Sequence, residues 1–566
     1  MKKLILFLCI ICLICSFTAC NKSDTSGETK SDPIVYKDAI DIVLNDDGIT
    51  VSGSSISTDS SSAVYSAHDI VYYESGKDFT YGEGTEGDSH TSDEAGEHTV
   101  VHITKAGTYR IQGKLSKGQI AVDLGEDAKE DPSAVVTLIL NGVDITCEVA
   151  PAVIFYSVYE CADADTEGAS KVVDTTAAGA NIVISDETVN IVNGSYVARI
   201  YKPGTVVLSE DGSAVEDAKK LHKYDGAFYS KMSMNISGES NNTGRLIINA
   251  ENEGLDSELH LTVNGGNIDI ISGNDGINTN EDGVSVTTIN GGNVTLTVTG
   301  KTGEGDGIDS NGWLVINGGT VKAYACSTSG DAGIDSDMGI YINGGTVIAT
   351  GNMLDKIAGA EQNCAIFNFE SSQSAGSNIV LNSSGKSILE TELVNNCSIL
   401  IYSAPELDAG TYKLFVNDSQ FGAFKGGEMN KHEGMNFGGE EIPDMPEGRD
   451  PSDMEGGQQA PQMPDGGQRP EMQDGQQPPQ MPEGQLPTNI QGGRPGNLNN
   501  NRLELSDKLE ISDGVNEFYS VSEYTPTNNN FIWIIIVGII IVGLIVYATI
   551  VTVKLIKNKK SKASET

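Results

Sequence analysis

The sequence predicts an all-β protein whose ordered part is a parallel β-helix, and two observations carry that reading. First, Asn-Gly-Gly recurs at Asn264, Asn290, Asn317 and Asn343, with spacings of 26, 27 and 26 residues. Second, short apolar runs flank these turns. Leu261-Thr262-Val263, Leu314-Val315-Ile316 and Ile340-Tyr341-Ile342 come before them, and Ile268-Asp269-Ile270, Val294-Thr295-Leu296 and Val347-Ile348-Ala349 come after. A fixed period of this size marks a repeat architecture. Nothing within the period has helical spacing. It has room for about three strands and three turns, and strands stacked at about 4.8 Å make a coil. One coil cannot bury its own apolar face, so the coils must stack. Glycines supply corners with φ > 0.

The other segments follow in chain order. Residues 1–20 read as a secretory leader: Met1-Lys2-Lys3, an apolar run from Leu4 to Phe17, then Thr18-Ala19-Cys20. Thr18-Ala19-Cys20 looks like the lipobox of bacterial lipoproteins, which makes Cys20 the expected acylation site. Phe17 departs from the usual leucine, and ordinary cleavage near Ala19 is the alternative. Residues 21–100 are rich in Ser, Asp, Gly and Thr, with short strand-like runs such as Ile34-Val35-Tyr36 and Ile70-Val71-Tyr72-Tyr73, and read as a loosely ordered acidic entry segment with a few strands. Residues 101–363 form the β-helix, where β-branched runs such as Val135–Leu140 and Val189–Val192 close on Asn-Gly. Residues 364–424 read as a β-strand cap. Residues 425–500 hold eleven of the seventeen prolines, with many Gly, Gln and Met, and read as a disordered linker. A juxtamembrane segment, 501–530, leads to residues 531–553, which carry no charge and are long enough for a transmembrane helix. The basic tail, 554–566, is expected on the cytoplasmic side, with the bulk of the chain extracellular at the cell membrane.

The formal net charge is −43. Setting aside two leader lysines and the tail's five lysines and one glutamate leaves 29 basic against 78 acidic residues. That balance excludes nucleic acid as a partner and disfavours anionic headgroups. It favours cations, and Ca²⁺ fills even weak carboxylate sites in an extracellular setting. Outside the leader, five cysteines remain (Cys147, Cys161, Cys326, Cys364 and Cys397), with no metal spacing. No disulfide framework or zinc site is expected, and Cys147 with Cys161 is the one pair worth testing.

A second element recurs between the turns: Asp225-Gly226, Glu253-Gly254-Leu255-Asp256, Asp275-Gly276-Ile277-Asn278, Asp306-Gly307-Ile308-Asp309 and Gly333-Ile334-Asp335. On stacked coils, Asp225, Glu253, Asp275 and Asp306 are expected in one column, interrupted by Ala332 near Asp331. Asp256, Asn278, Asp309 and Asp335 are expected in a second. Carboxylates one rung apart repel strongly at low dielectric, and oxygen ligands of this kind suit Ca²⁺. The competing reading is that Asp-Gly and Asn-Gly are turn residues alone.

These residues carry a resemblance. Val136–Ile145, Asp306-Gly307-Ile308-Asp309-Ser310, the repeated Asn-Gly-Gly-Thr-Val and Gly410-Thr411-Tyr412 resemble a carbohydrate-binding family of clostridial surface proteins. The resemblance implies a right-handed parallel β-helix like that of pectate lyases, bound Ca²⁺, and affinity for cellulose or acidic polysaccharide such as pectin and polygalacturonate.

Binding is favoured over catalysis. Lyase chemistry needs Ca²⁺, a base and a cation near the sugar carboxylate. Between residues 225 and 350 only Lys231, Arg245, Lys301 and Lys322 are basic. A hydrolase needs a spaced carboxylate pair, which so acidic a chain offers by chance. His98 and His102 share a strand-like run and do not converge on a metal. Trp313, Tyr324 and Tyr341 are the candidate stacking platforms for sugar, or else fillers between rungs. A polysaccharide lyase or hydrolase, and a structural adhesion module without glycan, remain the alternatives.

Overall fold

The computed structural model describes residues 36, 38–162, 164–426, 505–525, 547, 549 and 551. The fold is all-β. Between residues 38 and 426 helix is confined to Ser92–Gly96 and two 3-10 turns, Glu86–Asp88 and Glu126–Glu130.

Each coil contributes a strand to each of three ladders, and within each ladder successive coils pair in parallel. The first ladder runs through Thr99–Ile103, Gly118–Asp123, Val153–Ser157, Gly226–Ser230, Glu253–Ser257, Ile277–Thr279 and Ile308–Ser310. The second includes Ala180–Ile184, Met234–Gly238, Leu261–Val263, Val286–Ile289, Trp313–Ile316 and Gly339–Ile342. The third includes Val189–Gly194, Arg245–Ala250, Asn267–Ser272, Asn293–Val298, Thr320–Tyr324 and Thr346–Gly351. The long strand Val136–Cys147 crosses from the second ladder to the third, with Gly142 at φ +86°.

Side chains alternate across each strand. In Asn293–Val298, Val294, Leu296 and Val298 are buried while Thr295 and Thr297 are half-buried. The inward residues meet their counterparts one rung away. Leu255, Ile277, Ile308 and Ile334 form one such column, and Leu246, Ile268, Val294, Val321 and Val347 another, all essentially inaccessible. Burying a side chain of this kind contributes about 1.5–3 kcal/mol, and one columnar core replaces many separate ones.

The Asn-Gly-Gly turns need both glycines, for different reasons. Gly266, Gly292, Gly319 and Gly345 have φ between +78° and +96°, where side chains are strained. The preceding glycines leave room for the coil below. A Cβ on Gly291, Gly318 or Gly344 would lie 2.5–2.9 Å from the carbonyl oxygen of Asn264, Asn290 or Asn317.

The entry segment contributes paired strands. Ile40–Leu44 lies parallel to Gly107–Leu115, and Val64–Ala67 runs antiparallel to Thr99–Ile103. At the other end Cys397–Ser403 pairs antiparallel with Thr346–Gly351, ending the coils and opening the cap. The cap has its own core, including Phe367, Tyr402, Leu414 and Phe518. Part of it is made by residues far along the chain: Leu509–Ile511 pairs with Gly410–Val416, and Val515–Glu523 pairs with Cys364–Gln373 and Ser419–Lys425. Residues 505–523, expected beside a membrane segment, thus complete the cap.

The five cysteines are free, so the Cys147–Cys161 pair does not form. The leader with Cys20, the Pro-rich run and nearly all of 531–553 lie outside the described residues. Among the described residues no helix is long and apolar enough to cross a membrane.

Candidate functional site

The acidic repeat lies on the first ladder, and strand register sets its geometry. Asp256 pairs with Asn278 and Asn278 with Asp309. The Ile308–Ile334 bridge then brings Asp335 alongside Asp309, so the second expected column forms as read. In the other column Glu253, Asp275 and Asp306 follow the same register, and Ala332 ends it. Asp225 does not belong to it, because Glu253 pairs with Gly226, one residue on. The turn entering Gly226–Ser230 differs in length, and a one-residue slip sends a side chain to the other face.

Asp225 nevertheless reaches the site from outside the column. One carboxylate oxygen each of Asp225, Glu253 and Asp256 lies within 4.8 Å of the others, and all three residues are buried. Asn278 donates to Glu253 Oε1 at 3.1 Å and Asn280 to Asp256 Oδ1 at 2.6 Å. Those donors satisfy one oxygen of each carboxylate. Glu253 Oε2, Asp256 Oδ2 and Asn278 Oδ1 are buried without a hydrogen-bond partner. An orphaned buried oxygen costs about 1–3 kcal/mol, and more when charged. Three unpartnered acceptors beside Asp225, which itself pairs with the Lys223 ammonium, fit a hard cation.

The protonation balance agrees. Burial, then the charges of Asp256, Asp225 and Asp275, pushes Glu253 well above the usual carboxylate range. Burial, then Asp225 and Glu258, does the same to Asp256. Burial also raises Asp225, against the ion pair that Lys223 makes with it at 2.6 Å. Lys223 loses charge stability to burial, yet Asp225, Glu253 and Asp256 together hold its pKa above the usual value. Further along, burial first and neighbouring carboxylates second raise Asp275 to about 7, Asp306 to about 9, and Asp309 and Asp335 to about 6. Backbone amides bind three of the acids on this side: Asp306 N–H donates to Asp275 at 2.6 Å, Ala332 N–H to Asp306 at 2.5 Å, and Gly305 N–H to Asp331 at 2.7 Å.

The glycines of this motif are not turn residues. Gly254, Gly276 and Gly307 lie outside the left-handed region. A Cβ on each would fall 2.3–2.5 Å from a carbonyl oxygen of the next coil. Asp-Gly here serves close coil packing, so turn chemistry does not explain the acids.

The aromatic candidates separate. Tyr324 is packed at 4 % exposure and is not an open platform. Trp313 is half-buried between Val286 and Gly339 on the second ladder. Tyr341 is half-buried, and the Lys171 ammonium sits 3.4 Å above its ring centroid. Arg245 is held by Asp269 at 2.6 Å, and His102 by Asp69 at 2.8 Å.

The sequence reading named Lys231 but missed Lys220 and Lys223 on the basic side of the site. Lys220 and Lys223 come from the hairpin of Val197–Tyr201 and Lys220–Tyr224, which stands just before the repeats. Lys220 pairs with Glu258 at 3.1 Å. Lys231 lies over the rings of Tyr156 and Tyr224 at 5.4 and 5.3 Å, and burial lowers its pKa. Lys220, Lys231 and Glu258 share a cavity of about 320 Å³. The only signal was the density of Lys between 219 and 231.

A family model described as carbohydrate-binding domain-containing protein matches residues 97–181 and 158–404. No curated protein matches the chain. Among solved structures, the polysaccharide lyase-like protein from C. thermocellum, a gadolinium derivative, is 21% identical. That match covers 55% of this chain and 93% of that chain, at a TM-score of 0.29.

Proposed function

Because the chain belongs to the carbohydrate-binding domain-containing family, we propose that it is a cell-surface polysaccharide-binding protein whose ordered part is a right-handed parallel β-helix. Ca²⁺ on the acidic face joins this strongly negative chain to an acidic polysaccharide of the pectin or polygalacturonate kind. The observation that carries the reading is the set of three unpartnered buried oxygens, Glu253 Oε2, Asp256 Oδ2 and Asn278 Oδ1, beside Asp225. Glu253, Asp256, Asn278 and Asp225 would hold the ion. Asp275, Asp306, Asp309, Asp331 and Asp335 continue the acidic face along the coils. The bound ion supplies positive charge that a uronate can share, and the residues around it fix its place. Right-handed winding follows the general preference of parallel crossovers. Membrane attachment through Cys20 and residues 531–553 belongs to the same proposal.

The test is retention of the purified full-length chain on immobilised polygalacturonate, with Ca²⁺ and then with EDTA. Retention that disappears on chelation and in Asp256→Asn supports the reading. Retention that is indifferent to both sinks it and leaves a structural surface module in front.

One observation favours a second reading, a lyase. Lys231, half-buried over the rings of Tyr156 and Tyr224, lines a cavity with Lys220 and Glu258, and a cation and a base beside a sugar carboxylate are what lyase chemistry needs. Release of unsaturated, ultraviolet-absorbing oligosaccharides that stops in Lys231→Met would establish it.

A further inference from the structure

The second ladder carries another ladder, made of side-chain amides. Asn290 Nδ2 donates to Asn264 Oδ1 at 2.9 Å, Asn317 to Asn290 at 2.9 Å, and Asn343 to Asn317 at 2.8 Å. Two residues before each asparagine lies a second column, Thr262, Thr288, Val315 and Tyr341, aligned by the same register. Residues i and i+2 of a strand share a face, so the two columns form one surface.

A strap, Lys171–Thr176, crosses this surface. At one end Thr175 Oγ1 donates to Asn235 Oδ1 or Thr262 Oγ1, each 2.8 Å away, and its carbonyl accepts from Asn235 Nδ2 at 2.7 Å. At the other end Lys171 covers the Tyr341 ring. Strap and sheet enclose a groove of about 300 Å³, whose lining includes all four ladder asparagines, Thr288, Val315, Val172 and Val173. That volume falls at the lower end of known ligand sites.

The chemistry of the groove is specific. An asparagine amide has two N–H donors and an oxygen with two lone pairs. The ladder uses one of each, so every interior rung keeps one donor and one acceptor for a ligand. Those pairs repeat at about 4.8 Å over about 14 Å. Val172 is 79 % exposed on the rim and Val315 lies in the floor, so apolar contact accompanies the amides. The charges here balance: the lining holds one ammonium, Lys171, over the Tyr341 ring, and one carboxylate, Asp174, which accepts from the Thr176 N–H at 3.0 Å and hydroxyl at 2.7 Å. A polymer with hydroxyls along its edges and C–H groups on its faces matches this surface, and an anionic one gains nothing from it.

We propose that the groove between the Asn264–Asn343 amide ladder and the Lys171–Thr176 strap binds a neutral polysaccharide chain along the stacking direction, without any metal ion. The proposal rests on the carbohydrate-binding reading and adds a second site of different chemistry to it.

The test titrates the purified full-length chain with cellohexaose in EDTA, and with a polygalacturonate oligomer in Ca²⁺. Cellohexaose is expected to bind in EDTA. Asn317→Ala is expected to weaken it about tenfold, through lost amide hydrogen bonds. Val172→Glu, a change at an exposed strap residue that leaves the core untouched, is expected to weaken it similarly. Both variants should keep Ca²⁺-dependent binding of the uronate oligomer, which also shows that they are folded. Cellohexaose binding that needs Ca²⁺, or that neither variant alters, overturns the groove. Absent cellohexaose binding with intact uronate binding overturns the groove alone. Loss of both in the unaltered protein overturns the carbohydrate reading as well.

Discussion

The same coils carry a ladder of amides on one ladder of strands and a ladder of acids on another, and the two solve stacking in opposite ways. Asparagine both donates and accepts, so Asn264, Asn290, Asn317 and Asn343 satisfy one another down the stack. A carboxylate only accepts. Stacked acids therefore depend on donors from elsewhere: backbone amides reach Asp275 and Asp306, but one oxygen each of Glu253 and Asp256 is left unmet by the fold. A repeat protein can extend the first kind of column indefinitely. The second kind needs something from outside the chain.

Removing that outside component gives the largest expected effect. Ca²⁺ at a thousandfold excess over its dissociation constant should stabilise the chain by about 4 kcal/mol, read as the shift in urea midpoint between Ca²⁺ and EDTA. Asp256→Asn should abolish the shift, and in EDTA the variant should be the more stable of the two, because the cost of burying an acid, charged or protonated, is gone. An unchanged shift would show that the ion does not bind there.

Glycine tests compare the two flanks directly. Gly307→Ala places a Cβ 2.3 Å from the Gly333 carbonyl oxygen, and Gly318→Ala places one 2.7 Å from that of Asn290. Each should cost about 3 kcal/mol by overpacking, with Gly307→Ala the worse. Equal tolerance of both, measured by thermal denaturation, would mean that the coils separate more easily than their register implies.

The pH response should split the flanks by sign. Asp275, Asp306, Asp309 and Asp335 have folded pKa values raised to about 7, 9, 6 and 6. The folded state then holds protons that the unfolded chain has released. In EDTA stability should therefore rise as pH falls from about 9 towards 6. His260 acts the other way. It is 2 % exposed, its Nδ1 accepts the Val286 N–H at 3.0 Å, and burial lowers its pKa from 6.5 to about 4. Its contribution is complete above pH 6.5 and is lost as pH falls to about 4, a loss of roughly 3 kcal/mol. In Ca²⁺ the acids that hold the ion, Asp225, Glu253 and Asp256, stay ionised, so the rise on acidification should be smaller than in EDTA, while the His260 loss remains. A rise on acidification that is the same in Ca²⁺ and EDTA would contradict the scheme.

The smallest effect belongs to the self-satisfied column. Asn317→Ala breaks two exposed amide bonds and should cost about 1 kcal/mol in urea denaturation. A loss several times larger would mean that the amides, rather than the apolar columns beneath, hold the coils in register.

Much of this was legible in the sequence, for a local reason. An Asn-Gly-Gly corner needs its glycines at fixed places, so the 26- and 27-residue spacings reproduce the observed rungs and place all four ladder asparagines. Asp256, Asn278, Asp309 and Asp335 were legible in the same way, lying between regular corners. Asp225 was misread because its coil enters the ladder one residue out of phase, which no motif announces. Lys223 was missed because it stands just before the repeats, two residues from Asp225, where nothing in its spacing sets it apart from a solvated lysine. A few entry strands were expected, but their places at Ile40–Leu44 and Val64–Ala67 were hidden by a composition of Ser, Asp and Gly that suits turns as well as edges. The cap strands at 509–523 were hidden by distance, since their partners lie about a hundred residues earlier.

That last arrangement has a consequence. The chain leaves the cap near Lys425 and rejoins it where Ala423 bridges Ser506, so both ends of the intervening run are fastened to one sheet. A protease that severs the run would not release the C-terminal piece. The fragment beginning near residue 505 should remain seated through Phe518 against Phe367 and the strand partners of Val515–Glu523. The protein would become a two-chain complex that denaturant, rather than cleavage, takes apart.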